Sequence, residues 1–378
     1  MNKTFTIFLI IGLLAACDAS PRKQYSSFYP GQIWKDDKGV HINAHGGGIL
    51  LHKRTYYWFG EHKIEGRAGN QAHVGVHCYS SEDLYNWKDE GIALPVSKDP
   101  ASDIMEGCIL ERPKVIYNRR TKKFVMWFHL EPKGQGYSGA RVGIAQADKV
   151  TGPYSFIRSM RCDIRTWPVN VLSLHKQPVK EQYRAERANL AMGEHPDSVN
   201  TLGRDYLNGQ HSRDMTLFVD EDGTAYHIRS SESNSVIQIS ELTLDYLDFS
   251  GKYVRAFIGS RLEAPAVFKK DGLYYIMCSE CTGWRPNPAH SGVAPSIWGP
   301  WTELGNPCLD DDAQTTYHSQ STWILPVKDR EGDFIYLGDR WTPDNAIDGR
   351  YVWLPVEWED NRFVLRWRDE WDLSIFDH

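Results

Sequence analysis

LEAPAVFKKDGLYYIMCSE, residues 262–280, holds the pattern that decides the fold. Two short apolar runs, APAVFKK and LYYIMCSE, flank Asp271-Gly272, and the second opens on aromatic and β-branched residues and closes on polar ones. Runs of this length and composition, bounded by turn residues, read as strands. The design recurs in TYYWFGEHK from Thr55, KFVMWFHLE from Lys123, TAYHIRSSE from Thr224 and FIYLGDRW from Phe334. Each is followed, or nearly so, by a small-residue strand, a tight turn and an aromatic, as in VGVHCYSSEDLYNW, VGIAQADKVTGPYSF, VIQISELTLDYLDF and SGVAPSIWGPW. No long segment has a helical period. Five such units predict an all-β chain folded as a five-bladed β-propeller, since radial repetition disposes of sheet edges without closing a barrel. A sandwich would not repeat the unit five times, and a β-helix would have shorter, more even coils.

The chain has 378 residues, of which 41% are hydrophobic, enough for one large β domain. Its net charge is −6 and it has no basic run interleaved with aromatics, so nucleic acid is not expected as a partner. Aromatic residues make up 12%, a surplus that suits flat, amphipathic ligands such as sugars. The N-terminus reads MNKTFTIFLIIGLLAAC: a lysine, then an apolar stretch too short to span a bilayer, then small residues. Residues 1–17 are read as a signal peptide whose Leu14-Ala15-Ala16-Cys17 resembles a bacterial lipobox, with Cys17 as the lipidated residue. Residues 18–27 would be a tether and residues 28–378 a single propeller domain. The expected location is the bacterial envelope, lipid-anchored at the periplasmic or the outer face, with the membrane touched through the anchor alone.

Cys78, Cys108, Cys162, Cys278, Cys281 and Cys308 remain. Their pairing cannot be read from sequence. Cys278-Ser-Glu-Cys281 has no second pair at metal spacing, which argues against zinc and for buried thiols or a local disulfide.

The innermost strands of a propeller converge on one site, so position in the repeat singles out carboxylates that composition cannot. ILERPKVIYN places Glu111 just before the second unit's inner strand. HSRDMTLFVDEDGTAYH places Asp214 at the equivalent point of the third, RLEAPAVFKK places Glu263 in the fourth, and HSQSTWILP places Gln320 in the fifth. In the first unit, HINAHGGGIL has no carboxylate there; Asn43, Ala44 and His45 lead into three glycines, which let backbone or ligand approach the axis.

These motifs, with the five-unit plan, resemble glycoside hydrolase family 43. INAHGGGIL, YYWFGEHK, ERPKVIYN, LEAPAVF, HSQST and YLGDRW resemble its exo-β-1,3-galactanase branch. The resemblance covers essentially the whole mature chain and implies inverting hydrolysis with no cofactor. It implies Glu263 as general acid and Asp214 as the neighbouring carboxylate that raises the acid's pKa and orients it. Most of the family has an aspartate base where this chain has Asn43-Ala44-His45. The branch also lacks it, and the resemblance gives the water-orienting role to Gln320, either through its amide oxygen or as an imidic-acid tautomer that accepts a proton on nitrogen. Glu111 also matches a branch residue, and a Gln320 and Glu111 pair is favoured over either alone; His45 is a third choice, more simply a hydrogen-bonded wall.

A binding shell is expected around these groups. Trp284 and Trp341 are placed to stack on sugar unless they pack between blades. Asp339, Arg340, Asn234, Thr282 and Tyr137 are expected at hydroxyls, with Glu61 as a further polar edge. A calcium ion near the axis occurs in parts of the family, but no D-x-D-x-D-type loop recommends one, and Asp220 to Gly223 and Asp310 to Asp312 read as turns. The leading expectation is release of galactose from β-1,3-galactan, such as the arabinogalactan backbone. The alternatives are an α-L-arabinofuranosidase or β-xylosidase of the same family, or a non-catalytic carbohydrate-binding propeller.

Overall fold

The computed structural model describes residues 25–185, 190 and 194–377. Among these the strands form five consecutive antiparallel sheets. Blade 1 is β1 (His45–His52), β2 (Thr55–His62), β3 (Gly75–Ser81) and β4 (Lys88–Pro95); blade 2 is β5 (Ile109–Asn118), β6 (Lys123–Glu131), β7 (Arg141–Ala147) and β8 (Ser155–Met160). Blade 3 is β9 (Met215–Val219), β10 (Ala225–Ser231), β11 (Val236–Leu242) and β12 (Phe249–Ala256). Blade 4 is β13 (Leu262–Lys270), β14 (Leu273–Glu280), β15 (Ala289–Ala294) and β16 (Thr302–Gly305). Blade 5 has three strands, β17 (Gln320–Pro326), β18 (Phe334–Arg340) and β19 (Arg350–Pro355), and is followed by a hairpin, β20 (Glu357–Glu359) and β21 (Arg362–Val364). This is the expected five-bladed propeller.

The packing explains why the repeated strands read as unbroken apolar runs rather than as alternating ones. A blade is buried on both faces, and successive side chains go to opposite faces. On β6, Phe124, Met126, Phe128 and Leu130 join a cluster with blade 1, while Val125 and Trp127 join one with blade 3. On β14, Tyr275 and Met277 face blade 5 while Tyr274, Ile276 and Cys278 face blade 3. Five separate hydrophobic clusters result, one between each pair of neighbouring blades, and the one between blades 5 and 1 closes the ring. That closing cluster is rich in tryptophan, with Trp58, Trp87, Trp353 and Trp371 all buried. The first and last stretches of the described residues meet beside it, where Phe28 and Trp371 form an antiparallel bridge and their rings stack at 4.3 Å.

One boundary moves, and one of the open readings of the cysteines is decided. The folded domain begins before residue 28: the Tyr25 N–H donates to Asn86, whose side chain donates back to the Tyr25 carbonyl, and Ser27 is buried. Residues 25–27 therefore belong to the domain and not to the tether, whereas residues 18–24, the signal peptide and Cys17 lie outside the described residues. The six cysteines after Cys17 are all free thiols, so Cys278 and Cys281 form no local disulfide.

Candidate active site

Four of the five inner strands break their register where they reach the axis. The pairing shifts between His45 and Gly48 on β1, Glu111 and Lys114 on β5, Glu263 and Ala266 on β13, and Ser321 and Trp323 on β17. A bulge re-aims the side chains beside it. In three of them a residue adopts a left-handed conformation, Gly46 at φ +59°, Arg112 at +57° and Ala264 at +53°. Non-glycine residues held there are strained, a feature that concentrates at functional sites. Glu111, Glu263 and Gln320 stand beside these bulges, and they meet Asp214, just before the unbulged β9, at the wall of one cavity of about 280 Å³, also lined by Glu61, Tyr137, Asn234, Trp284 and Trp341.

The three glycines of the first inner strand leave room for the site's own groups. A Cβ on Gly46 would lie 2.2 Å from the Glu61 carboxylate, one on Gly47 2.1 Å from the Phe59 carbonyl oxygen, and one on Gly48 2.5 Å from the Lys114 side chain. Glu61 thus reaches over Gly46 from β2 and stands in the blade that lacks an axial aspartate. Its Oε1 accepts the backbone N–H of Arg112 and its Oε2 lies 2.6 Å from the Lys63 ammonium. Asn43 fixes Lys63 by two hydrogen bonds to its backbone.

Arg112 is the hub. Its guanidinium donates to Asp214 Oδ2 at 2.8 Å, to the Ser321 carbonyl at 2.8 Å and to Gln320 Oε1. Trp341 Nε1 donates to the same Gln320 oxygen at 2.9 Å. The Gln320 amide nitrogen donates to Glu263 Oε1 at 3.0 Å and to Ser279 Oγ at 2.9 Å. Arginine and indole nitrogens can only donate, so Gln320 Oε1 is held as an acceptor and the side chain as an ordinary amide.

The two catalytic-type carboxyls are driven in opposite directions. Burial, reinforced by the charge of Asp214, pushes Glu263 up to about 7. Burial would also raise Glu111, but the hydrogen bond and charge of His129 outweigh it and hold Glu111 down to about 2. His129 lies between Glu111 and Glu131, at 3.1 Å and 3.0 Å, and these partners overcome its burial to raise it to about 9. Tyr137 donates to the other Glu111 oxygen at 2.7 Å. Glu111, His129 and Asp214 bring one ligand atom each within 4.8 Å of one another. The donor set suits a metal poorly, because an imidazolium has no free lone pair and Asp214 already holds Arg112.

Several expected contacts fall elsewhere. Arg340 turns away from the cavity; it donates to the Tyr317 carbonyl and lies over the Trp367 ring. Thr282 donates to the Arg285 carbonyl and does not line the cavity. His45 is fully buried, stacks on Tyr351 and is lowered well below its usual value by burial and the Lys63 charge, so it is a neutral wall. Asp339 lies behind the cavity, where its Oδ2 accepts the Gly46 N–H and burial raises it to about 7. Trp284 and Trp341 do face the cavity and meet edge to face at 5.6 Å. Sequence reading missed Arg112, Lys63, His129, Arg213 and Cys281, all of which line it.

Residues 182–363 match the family described as glycosyl hydrolases family 43. No curated protein matches the chain. Among solved structures, a family 43 β-1,3-galactosidase with galactodeoxynojirimycin is 49% identical, with a TM-score of 0.87 over 92% of this chain and 100% of that one. The exo-β-1,3-galactanase of Phanerochaete chrysosporium with β-1,3-galactotriose is 30% identical, with a TM-score of 0.74 over 92% and 68% of the two chains. That of Clostridium thermocellum is 33% identical, with a TM-score of 0.74 over 91% and 66%.

Proposed function

Because the chain belongs to glycoside hydrolase family 43, we propose that it is an exo-acting enzyme removing galactose from β-1,3-linked galactan, such as the arabinogalactan backbone, with inversion. The observation that carries this reading is the pair of carboxyls driven apart in one small cavity, Glu263 up to about 7 and Glu111 down to about 2. Such a pair divides acid and base roles between two groups of the same type. Glu263, protonated below neutrality, gives its proton to the departing glycosidic oxygen. Asp214, held by Arg112, keeps that proton on Glu263 until it is needed.

The geometry separates the roles of Gln320 and Glu111. An imidic-acid Gln320 would need a hydrogen on Oε1, where Arg112 and Trp341 both donate. Gln320 acts instead as an amide that orients Glu263 and the reaction centre. Glu111 remains ionised and takes the water's proton late, when attack on the oxocarbenium-like carbon has made that proton strongly acidic. The glycosidases in the comparisons are named for β-1,3-galactoside substrates, and that likeness supports galactose as the sugar released.

The test is hydrolysis of β-1,3-galactobiose followed by NMR. α-Galactose is expected as the first product, before mutarotation. β-Galactose first would overturn inversion, and cleavage of arabinofuranosides or xylosides in place of galactobiose would overturn the substrate. Binding of galactan without hydrolysis of any glycoside would move the non-catalytic propeller to the front. The proposal extends to location: the lipobox-like Leu14 to Cys17 supports lipid attachment in the bacterial envelope. Cys17→Ala is expected to release the protein from the membrane fraction, and retention there would refute the anchor.

A further inference from the structure

Both oxygens of the Glu263 carboxyl are hydrogen-bonded, by groups of different chemistry. Oε1 receives the Gln320 amide N–H at 3.0 Å, and Oε2 receives the Cys281 thiol, also at 3.0 Å. The amide nitrogen can only donate, and an N–H prefers a carbonyl-type oxygen to a hydroxyl, which favours Oε2 as the oxygen that carries the proton. A thiol both donates and accepts. It donates to Oε2 when Glu263 is ionised, and with substrate bound it can go on donating to a lone pair of Oε2 when Glu263 is protonated, which leaves the carboxyl hydrogen free for the departing oxygen and lets the carboxyl cycle without rotating. Asn234 also lines the cavity. Burial and the neighbouring Glu263 charge raise the Cys281 thiol well above its usual range, so it keeps its hydrogen for donation.

We infer that Cys281 is a positioning residue for the acid, whose thiol aims the proton-bearing Oε2 of Glu263 at the departing oxygen. This rests on the reading of Glu263 as general acid. Cys281 is no ligand of the sugar in this account; it acts through Glu263.

The experiment compares full-length wild type, Cys281→Ala and Cys281→Ser on β-1,3-galactobiose and on 2,4-dinitrophenyl β-galactoside, whose leaving group departs without a proton. For Cys281→Ala, kcat on galactobiose is expected to fall about 10-fold or more with KM nearly unchanged, while the activated substrate is hardly affected. The alkaline limb of its kcat/KM profile is expected to move upward, because the ionised carboxylate loses a donor. Cys281→Ser, whose hydroxyl also donates and accepts, is expected to restore most of the rate on galactobiose. Equal losses on both substrates, or no loss on either, would overturn the positioning role. A wild type that leaves galactobiose intact would overturn the galactanase reading itself, and this role with it.

Discussion

Glu263→Gln is expected to lower kcat/KM on β-1,3-galactobiose by about 10³-fold while the protein stays folded. Glutamine has the shape of glutamate, and its amide oxygen can still accept the Gln320 N–H while its nitrogen donates to the Cys281 sulfur. Only the transferable proton is lost. The wild-type rate should fall as pH rises through about 7, where Glu263 ionises, and this limb should vanish in the variant. Wild-type stability should fall with rising pH as well. A carboxyl raised from about 4.3 in the unfolded chain to about 7 in the folded one contributes stability that is complete below the lower value. That contribution is lost as pH climbs through the higher one. The neutral glutamine escapes this loss, so above pH 7 the variant should unfold at higher urea than wild type, by up to about 3 kcal/mol. A variant with unaltered activity would remove Glu263 from the acid role. One that is inactive and also less stable at every pH would point to a structural role.

That coupling of rate and stability to one residue reflects what the sequence could and could not disclose. The blades were legible because each middle strand is apolar on both faces, so TYYWFGEHK or KFVMWFHLE stands out without any alternation to decode. Glu111, Asp214, Glu263 and Gln320 were legible because each stands at the start of an inner strand, and blade symmetry takes all four to the axis. The partners that set their chemistry were less so. His129 stands directly across from Glu111 in the β5–β6 register, a relation that only the pairing reveals. Arg112 follows Glu111 in sequence, and simple alternation would send it to the opposite face; the bulge and its φ of +57° turn it inward instead. Position beside a cavity-lining residue misled the other two readings: Arg340, last in β18, turns away from its neighbour Trp341, and Thr282, in the turn after β14, is held by the Arg285 carbonyl. The glycines were read correctly as room beside the axis, but the occupants proved to be Glu61, Lys114 and backbone rather than ligand.

Arg112→Met should combine the largest stability loss at this site with a collapse of activity. The guanidinium comes from blade 2, pairs with Asp214 of blade 3, and bonds Gln320 and the Ser321 carbonyl of blade 5, so one side chain joins three blades. It is 4% exposed, and methionine fills its volume without its five donors. Removing one partner of a largely buried pair leaves the other charge uncompensated, which costs about 3–5 kcal/mol. Asp214 is the more accessible partner, so the lower end is expected. The catalytic loss has a separate origin. Without Arg112 the Gln320 oxygen keeps only Trp341 as donor, the amide is freer to turn, and Glu263 loses both its oriented N–H and the positive charge that restrains its pKa. The alkaline limb of surviving activity, set by Glu263, should therefore move to higher pH even as kcat falls. Arg112→Lys discriminates further: a single ammonium restores charge near Asp214 but cannot span Asp214, Gln320 and Ser321 together. Lysine should recover part of the stability and little of kcat. If lysine restored both, charge alone would suffice and the locked amide would have no part in catalysis; if methionine left the urea midpoint unchanged, Arg112 would not be the clamp of the ring.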